Sequence, residues 1–286
     1  MGQAGPVSRR SFLGVTCLSP WLSACRSSST SPTGPSSSET IFQQDFNAAA
    51  LGPYTAAALA AGWNGTTPYN GVHEGRVSVV DGAEALEGRS IRVRYPRGGV
   101  GSNPSGAQWK MTLSRRDELS CAYSVRFASD FDFVRGGKLP GLAGGAANTG
   151  GDKPTGRDGW SARMMWRERG EVVQYVYQVD QPTEFGEDFR WNLTGQRVFT
   201  PGVWHRVEHR VVINTPGQKD GIVQGWFDGQ LALDRRNIRL RDVDTFAIDA
   251  FYFSTFFGGS DATWAATKDE YTYYDDFVIS AGPITH

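Results

Sequence analysis

Trp160-Ser161-Ala162-Arg163-Met164-Met165-Trp166-Arg167, a turn at Arg169-Gly170, and Tyr175-Val176-Tyr177 form the stretch from which the fold can be worked out. Side chains alternate across a strand, so Ala162, Met164 and Trp166 fall on one face and Ser161, Arg163, Met165 and Arg167 on the other. The first set suits a core. Two arginines beside a serine do not. Tyr175 and Tyr177 again share a face, and a hairpin at Arg169-Gly170 can bring them and Arg163 onto one surface. Upstream, Gly136-Gly137-Lys138-Leu139-Pro140-Gly141-Leu142 holds a lysine in what reads as a glycine-rich loop of restricted backbone shape.

Outward from this stretch, short β-branched or aromatic segments recur between Gly, Pro, Asn and Asp clusters. Candidate strands are 41–46, 76–80, 90–95, 108–113, 121–127, 189–193, 205–214, 222–228, 231–234, 246–257 and 271–280. Residues 54–62 are alanine-rich and form the one plausible helix, stopped by Gly62. Asp228-Gly229 between two strand runs signals a hairpin. With 35 glycines and 12% aromatic residues, the pattern predicts an all-β fold, a two-sheet antiparallel β-sandwich of jelly-roll type. The formal charge of -1 argues against a broadly basic nucleic-acid surface but allows a local cationic pocket.

Residues 1–25 read as an export signal. Ser8-Arg9-Arg10-Ser11-Phe12-Leu13 resembles a twin-arginine motif, and the apolar stretch after it is too short to span a bilayer. It closes on Leu22-Ser23-Ala24-Cys25, which resembles a bacterial lipobox with Cys25 as the lipidated first residue. Losing two arginines and no acid with residues 1–24 takes the net charge to -3. Residues 26–39, rich in Ser, Thr and Pro, read as a flexible tether to a domain at 40–286. The expectation is an exported envelope lipoprotein, on the periplasmic side or the cell surface or secreted, touching the membrane only through its lipid. Cys121 is then the only other mature cysteine, without a disulfide partner.

Several motifs invite chemistry that their context does not support. His205-Arg206-Val207-Glu208-His209 matches a zinc-peptidase pattern that requires a helix. Here Pro201-Gly202 and Pro216-Gly217 bracket a β-branched run, so it reads as a strand. Its two histidines would be about 13 Å apart at about 3.3 Å per residue, too far to share one zinc. His209 pointing into a binding groove is the milder functional alternative. Gly98-Gly99-Val100-Gly101 lacks the strand–helix setting of a phosphate loop. A sandwich glycoside hydrolase would need two carboxylates across a cleft, and Glu184, Glu187 and Asp188 lie in an apparent loop.

Lysine, arginine and tyrosine together fit β-elimination on a uronic-acid polymer. The proton at C5 is weakly acidic, so a catalyst must neutralise the neighbouring carboxylate, take that proton and protonate the leaving oxygen at C4. Arginine provides a planar, permanently charged fork for the carboxylate. Tyrosine or lysine can move protons if its pKa approaches the working pH, and nearby cations are expected to lower a phenol's pKa. Strand tyrosines two apart are also common in ordinary sandwiches, so the pattern alone is equally compatible with a plain sheet face.

The Lys138 segment, Ser161-Ala162-Arg163-Met164-Met165-Trp166-Arg167 and Tyr175-Val176-Tyr177 resemble polysaccharide lyase family 14. Phe253-Ser254-Thr255-Phe256-Phe257-Gly258-Gly259 and Tyr274-Asp275-Asp276-Phe277 extend the resemblance over most of residues 41–280. It implies a jelly roll acting on alginate- or glucuronan-type polymers. Lys138 then matches the catalytic lysine, Ser161 and Arg163 a substrate-contacting pair, and Tyr175 and Tyr177 the tyrosine pair. Tyr175 or Tyr177 would be the general acid/base, Lys138 the base or carboxylate neutraliser, and Arg163 the carboxylate clamp. Arg167, Trp160, His209 and Trp264 are further candidate substrate contacts. No cofactor or metal is expected, and the protein is expected to be a monomer. The alternative is a non-catalytic glycan-binding jelly roll using Trp160, Tyr175, Tyr177 and Trp264 as a stacking platform.

Overall fold

The computed structural model describes residues 1–2 and 39–284. The twin-arginine stretch, Cys25 and most of the tether lie outside the described residues. Sixteen strands are described, beginning with β1 (Glu39–Gln44), β2 (Gly52–Pro53), β3 (Pro68–Asn70), β4 (Val77–Asp81) and β5 (Arg89–Tyr95). There follow β6 (Ala107–Arg116), β7 (Glu118–Phe127), β8 (Gly136–Gly145), β9 (Gly159–Arg167), β10 (Val172–Tyr177) and β11 (Glu187–Arg190). The last five are β12 (Trp204–Val212), β13 (Gly221–Phe227), β14 (Gln230–Ile238), β15 (Ile248–Phe257) and β16 (Glu270–Ala281).

They form two antiparallel sheets. The nine-stranded sheet runs β14-β13-β12-β7-β16-β5-β4-β2, with β1 also on β16, and the seven-stranded sheet runs β11-β10-β9-β8-β15-β6-β3. The chain is thus the all-β, two-sheet sandwich expected. Its one described α-helix, α1 (Ala56–Gly62), starts where the Thr55 hydroxyl accepts the Ala58 N–H and ends on Trp63. No described helix is long and apolar enough to cross a membrane.

Aromatic rings fill the space between the sheets. Trp109 and Phe253 stack at 3.7 Å, and Trp63, carried in from the end of α1, lies parallel to Phe251 at 5.7 Å. Alternation on β15 sends Phe251, Phe253 and Phe257 into this core, leaving Tyr252, Ser254 and Phe256 on the outer face, which is where the cleft forms. Asp228 and Gly229 both take positive φ and close the β13–β14 hairpin, as the Asp-Gly signal predicts.

Two local expectations need correction. The Lys138 segment is a ten-residue strand, β8, hydrogen-bonded between β9 and β15. Glycine and proline count against an interior strand. Here Pro140 falls where the register shifts between Leu139 and Gly141, and the glycines are required by close packing. A methyl at Gly137 would lie 2.1 Å from the Trp166 ring, and one at Gly144 1.8 Å from the Ala247 carbonyl oxygen. Glu187 and Asp188 likewise belong to β11, paired with β10, rather than to a loop.

The His205–His209 motif lies on β12, as its flanks indicate. His209 points between the sheets, where its Nε2 accepts the Leu142 N–H at 3.2 Å. Burial pushes its pKa down to about 3. It is a neutral brace beneath β8, and the groove reading for it fails because the groove is on the opposite face of that strand.

Candidate active site

Register places the cleft residues in rows across the seven-stranded sheet. Asp188 pairs with Tyr175, Tyr175 with Arg163, Arg163 with Gly141, and Gly141 with Tyr252. In the adjacent row Met165 pairs with Lys138, and Lys138 with Phe256. Directly paired residues project from the same face. The outer face of the sheet therefore gathers Lys138, Arg163, Arg167, Tyr175 and Tyr177 from three neighbouring strands. Loops bank up around it to leave a cavity of about 810 Å³ lined by all five, together with Trp264.

Lys138 is half-buried. Its Nζ sits 3.8 Å from the centre of the Tyr175 ring and 2.8 Å from the Met165 sulfur. Burial, and then the positive charges of Arg163 and Arg167, hold its pKa well below the usual lysine value, while Asp188 opposes them. Tyr175 moves the other way. Burial and the neighbouring Tyr177 raise its pKa, and the smaller opposing effects of Arg167 and Arg163 do not offset them. The expectation that the cations would make this phenol more acidic is thus overturned: removal from water outweighs them. The site separates a lysine biased toward the free amine from a phenol biased toward staying protonated.

Arg163 is buried at 2% exposure. Its Nη1 donates to the Ser254 hydroxyl at 3.0 Å, and its guanidinium lies 5.3 Å from the Tyr252 ring centre. Gln108 donates to the same Ser254 oxygen at 2.9 Å. Arg167 forks onto Asp188, Nε to Oδ2 at 2.8 Å, so much of its charge is already matched. Trp264 lines the cleft with guanidinium groups over its ring, Arg135 at 4.8 Å and Arg167 at 5.8 Å.

Three candidates do not reach the cleft. Trp160 is fully buried in the inter-sheet core, its indole N–H donating to the Ala247 carbonyl at 3.2 Å, because it shares the inward face of β9 with Ala162 and Met164. Ser161 has the outward orientation expected of it, but the Asn148 loop covers it and its hydroxyl donates to the Asn148 carbonyl at 2.7 Å. His209 braces the core, as described above. The same loop is tied to the tyrosine strand by the Gly151 N–H, which donates to the Tyr177 hydroxyl at 3.1 Å.

Sequence reasoning missed Gln108, Asp188, Phe185 and Tyr252, all of which line the cleft. Alternation on 246–257 could have singled out Tyr252. Nothing local marked the others: Gln108 reaches the cleft by pairing with Ser254 on a distant strand, Asp188 by pairing with Tyr175, and Phe185 from the segment that joins β10 to β11.

Fold and site together define a jelly-roll sandwich that carries a cationic, tyrosine-bearing cleft on one sheet. Residues 83–277 match the family described as Polysaccharide lyase 14, and the chain belongs to that family. No curated protein matches the chain in sequence. Among solved structures it is similar to alginate lyase Aly36B, with a TM-score of 0.75 and 29% identity over 88% of this chain and 100% of that one. A variant of Aly36B with a lysine and a tyrosine replaced by alanine has been solved with an alginate tetrasaccharide. The marine alginate lyase from Aplysia kurodai aligns with a TM-score of 0.68 and 25% identity, over 85% of this chain and 99% of that one. The endo-β-1,4-glucuronan lyase of Trichoderma reesei shares the fold, with a TM-score of 0.53 and 15% identity, over 85% of this chain and 96% of that one.

Proposed function

We propose that this protein cleaves a uronic-acid polymer of alginate or glucuronan type by β-elimination without a metal. One observation carries the reading: Lys138, with its depressed pKa, stands over Tyr175, with its raised one, beside the buried Arg163. Oppositely shifted groups in one site are the mark of a base and an acid. Arg163 holds the substrate carboxylate. The Lys138 amine removes the C5 proton, the freed electron pair forms the C4–C5 double bond, and the C4–oxygen bond breaks. The Tyr175 phenol protonates the departing oxygen, and the resulting ammonium returns a proton to the phenolate beside it. Arg163, which keeps its charge, supplies at the carboxylate the positive charge that a metal would otherwise bring.

The test is incubation of purified protein with alginate, glucuronan and other polyuronates while following far-ultraviolet absorbance of the unsaturated product. Absorbance should rise on at least one polymer, at a rate unchanged by a chelator. No product from any polyuronate between neutral and alkaline pH removes the lyase reading, and binding without turnover would favour the glycan-binding alternative. Loss of activity with chelator removes metal independence alone.

We also propose export and lipid anchoring at Cys25, on the strength of the Arg9-Arg10 motif and the small residues before the cysteine. Fractionation should find the full chain with membranes and its Cys25→Ser variant released from them. Identical partitioning of the two would count against the anchor.

A further inference from the structure

We infer that the cleft extends past Tyr252 to the free edge of the sheet, where Tyr69 and Lys110 form a further subsite for a remote uronate unit of the same polymer. The inference rests on the lyase reading above.

Lys110 pairs directly with Tyr252 on the next strand, which adds it to the row Asp188, Tyr175, Arg163, Gly141 and Tyr252. Its neighbours Trp109 and Met111 are fully buried on the core side, so Lys110 projects from the cleft face. Among the described residues it makes no salt bridge. Tyr69, on the last strand of the sheet, is 55% exposed, and its ring meets the Tyr252 ring edge-on at 6.4 Å. An aromatic ring left that open adds little to the core but offers a face to a sugar ring.

Five inter-strand steps separate Asp188 from Lys110, about 24 Å at roughly 4.8 Å each, enough for several sugar rings. Gly141 has no side chain to interrupt the floor between Arg163 and Tyr252. Phe185, 44% exposed, lines the cleft together with Asp188, Tyr175, Arg163 and Tyr252 of this row. A polyanion crossing the strands thus meets a cation and an open ring beyond the reacting residues. A sugar stacked on Tyr69 with its carboxylate at Lys110 uses both.

The test compares wild type with Tyr69→Ala, Lys110→Gln and the double variant, on alginate polymer and on alginate trisaccharide, or on the polyuronate identified above if that is not alginate. Removing a remote subsite weakens ground and transition states alike, which raises KM and leaves kcat in place. The expected result is about a tenfold higher KM of the double variant on polymer, with trisaccharide kinetics unchanged and Tyr69→Phe close to wild type. Equal KM ratios on polymer and trisaccharide, or no change on either, overturn the subsite. Wild type that cleaves no polyuronate is recognised before any variant is compared, and it overturns the lyase reading together with this extension.

Discussion

Lys138→Arg is expected to lower kcat by about 10²–10⁴-fold, the range supplied by a positioned proton-transfer group. The substitution keeps the positive charge and nearly the length of the side chain, but a guanidinium does not give up its proton in a protein. If Lys138 served only to neutralise a carboxylate, arginine would retain most of the activity, and that outcome would remove it as the base. The pH profile gives a second readout. The free amine is the active form, so kcat/KM should rise with pH through a transition lying below the ordinary lysine value of 10.5, and be lost as pH falls through it. Arg163 and Arg167 contribute to that displacement while Asp188 opposes it. Arg167→Gln removes one cation and releases Asp188 from its fork, so the transition should move to higher pH. A transition that stays in place, or moves down, would show that these charges do not govern the base.

Tyr175→Phe should bring a loss of the same order, about 10²–10⁴-fold in kcat, while Tyr177→Phe costs far less, about tenfold. The two are nearly alike in sequence but differ in surroundings. Tyr175 lies under the Lys138 Nζ and directly opposite Arg163, whereas the Tyr177 hydroxyl accepts the Gly151 N–H and so holds a loop. Phenylalanine at 175 preserves the ring beneath the lysine and removes only the proton. Because burial keeps that phenol protonated, the alkaline limb of the wild-type profile should lie above the ordinary tyrosine value of 10. Equal mild losses at both positions would mark the tyrosines as binding groups and dismiss Tyr175 as the acid.

The hairpin from Trp160 to Tyr177 was legible because alternation is local. Ala162, Met164 and Trp166 are in the core, and Tyr175 pairs with Arg163 across a turn at Arg169-Gly170. The same rule puts Trp160 with Ala162 in the core, where it cannot serve as a sugar platform. Ser161 shows a limit of a different kind. Its face was evident from the sequence, but its covering by the Asn148 loop was not, because that contact depends on where a separate segment packs. Asp188 was missed for the same reason, since its place in the cleft comes from β11 pairing with β10.

The all-β sandwich, the strand rather than a zinc helix at His205–His209, and the cationic hairpin bearing two tyrosines can all be read from the order of residues alone. These follow from side-chain alternation and turn chemistry, which act over a few residues. Packing was needed to reveal that Lys138 stands on a central strand, that Gly141 adds no side chain between Arg163 and Tyr252, and that burial overrides the arginines in setting the Tyr175 proton. Desolvation is a property of everything packed around a group, and those neighbours come from segments far apart in the chain.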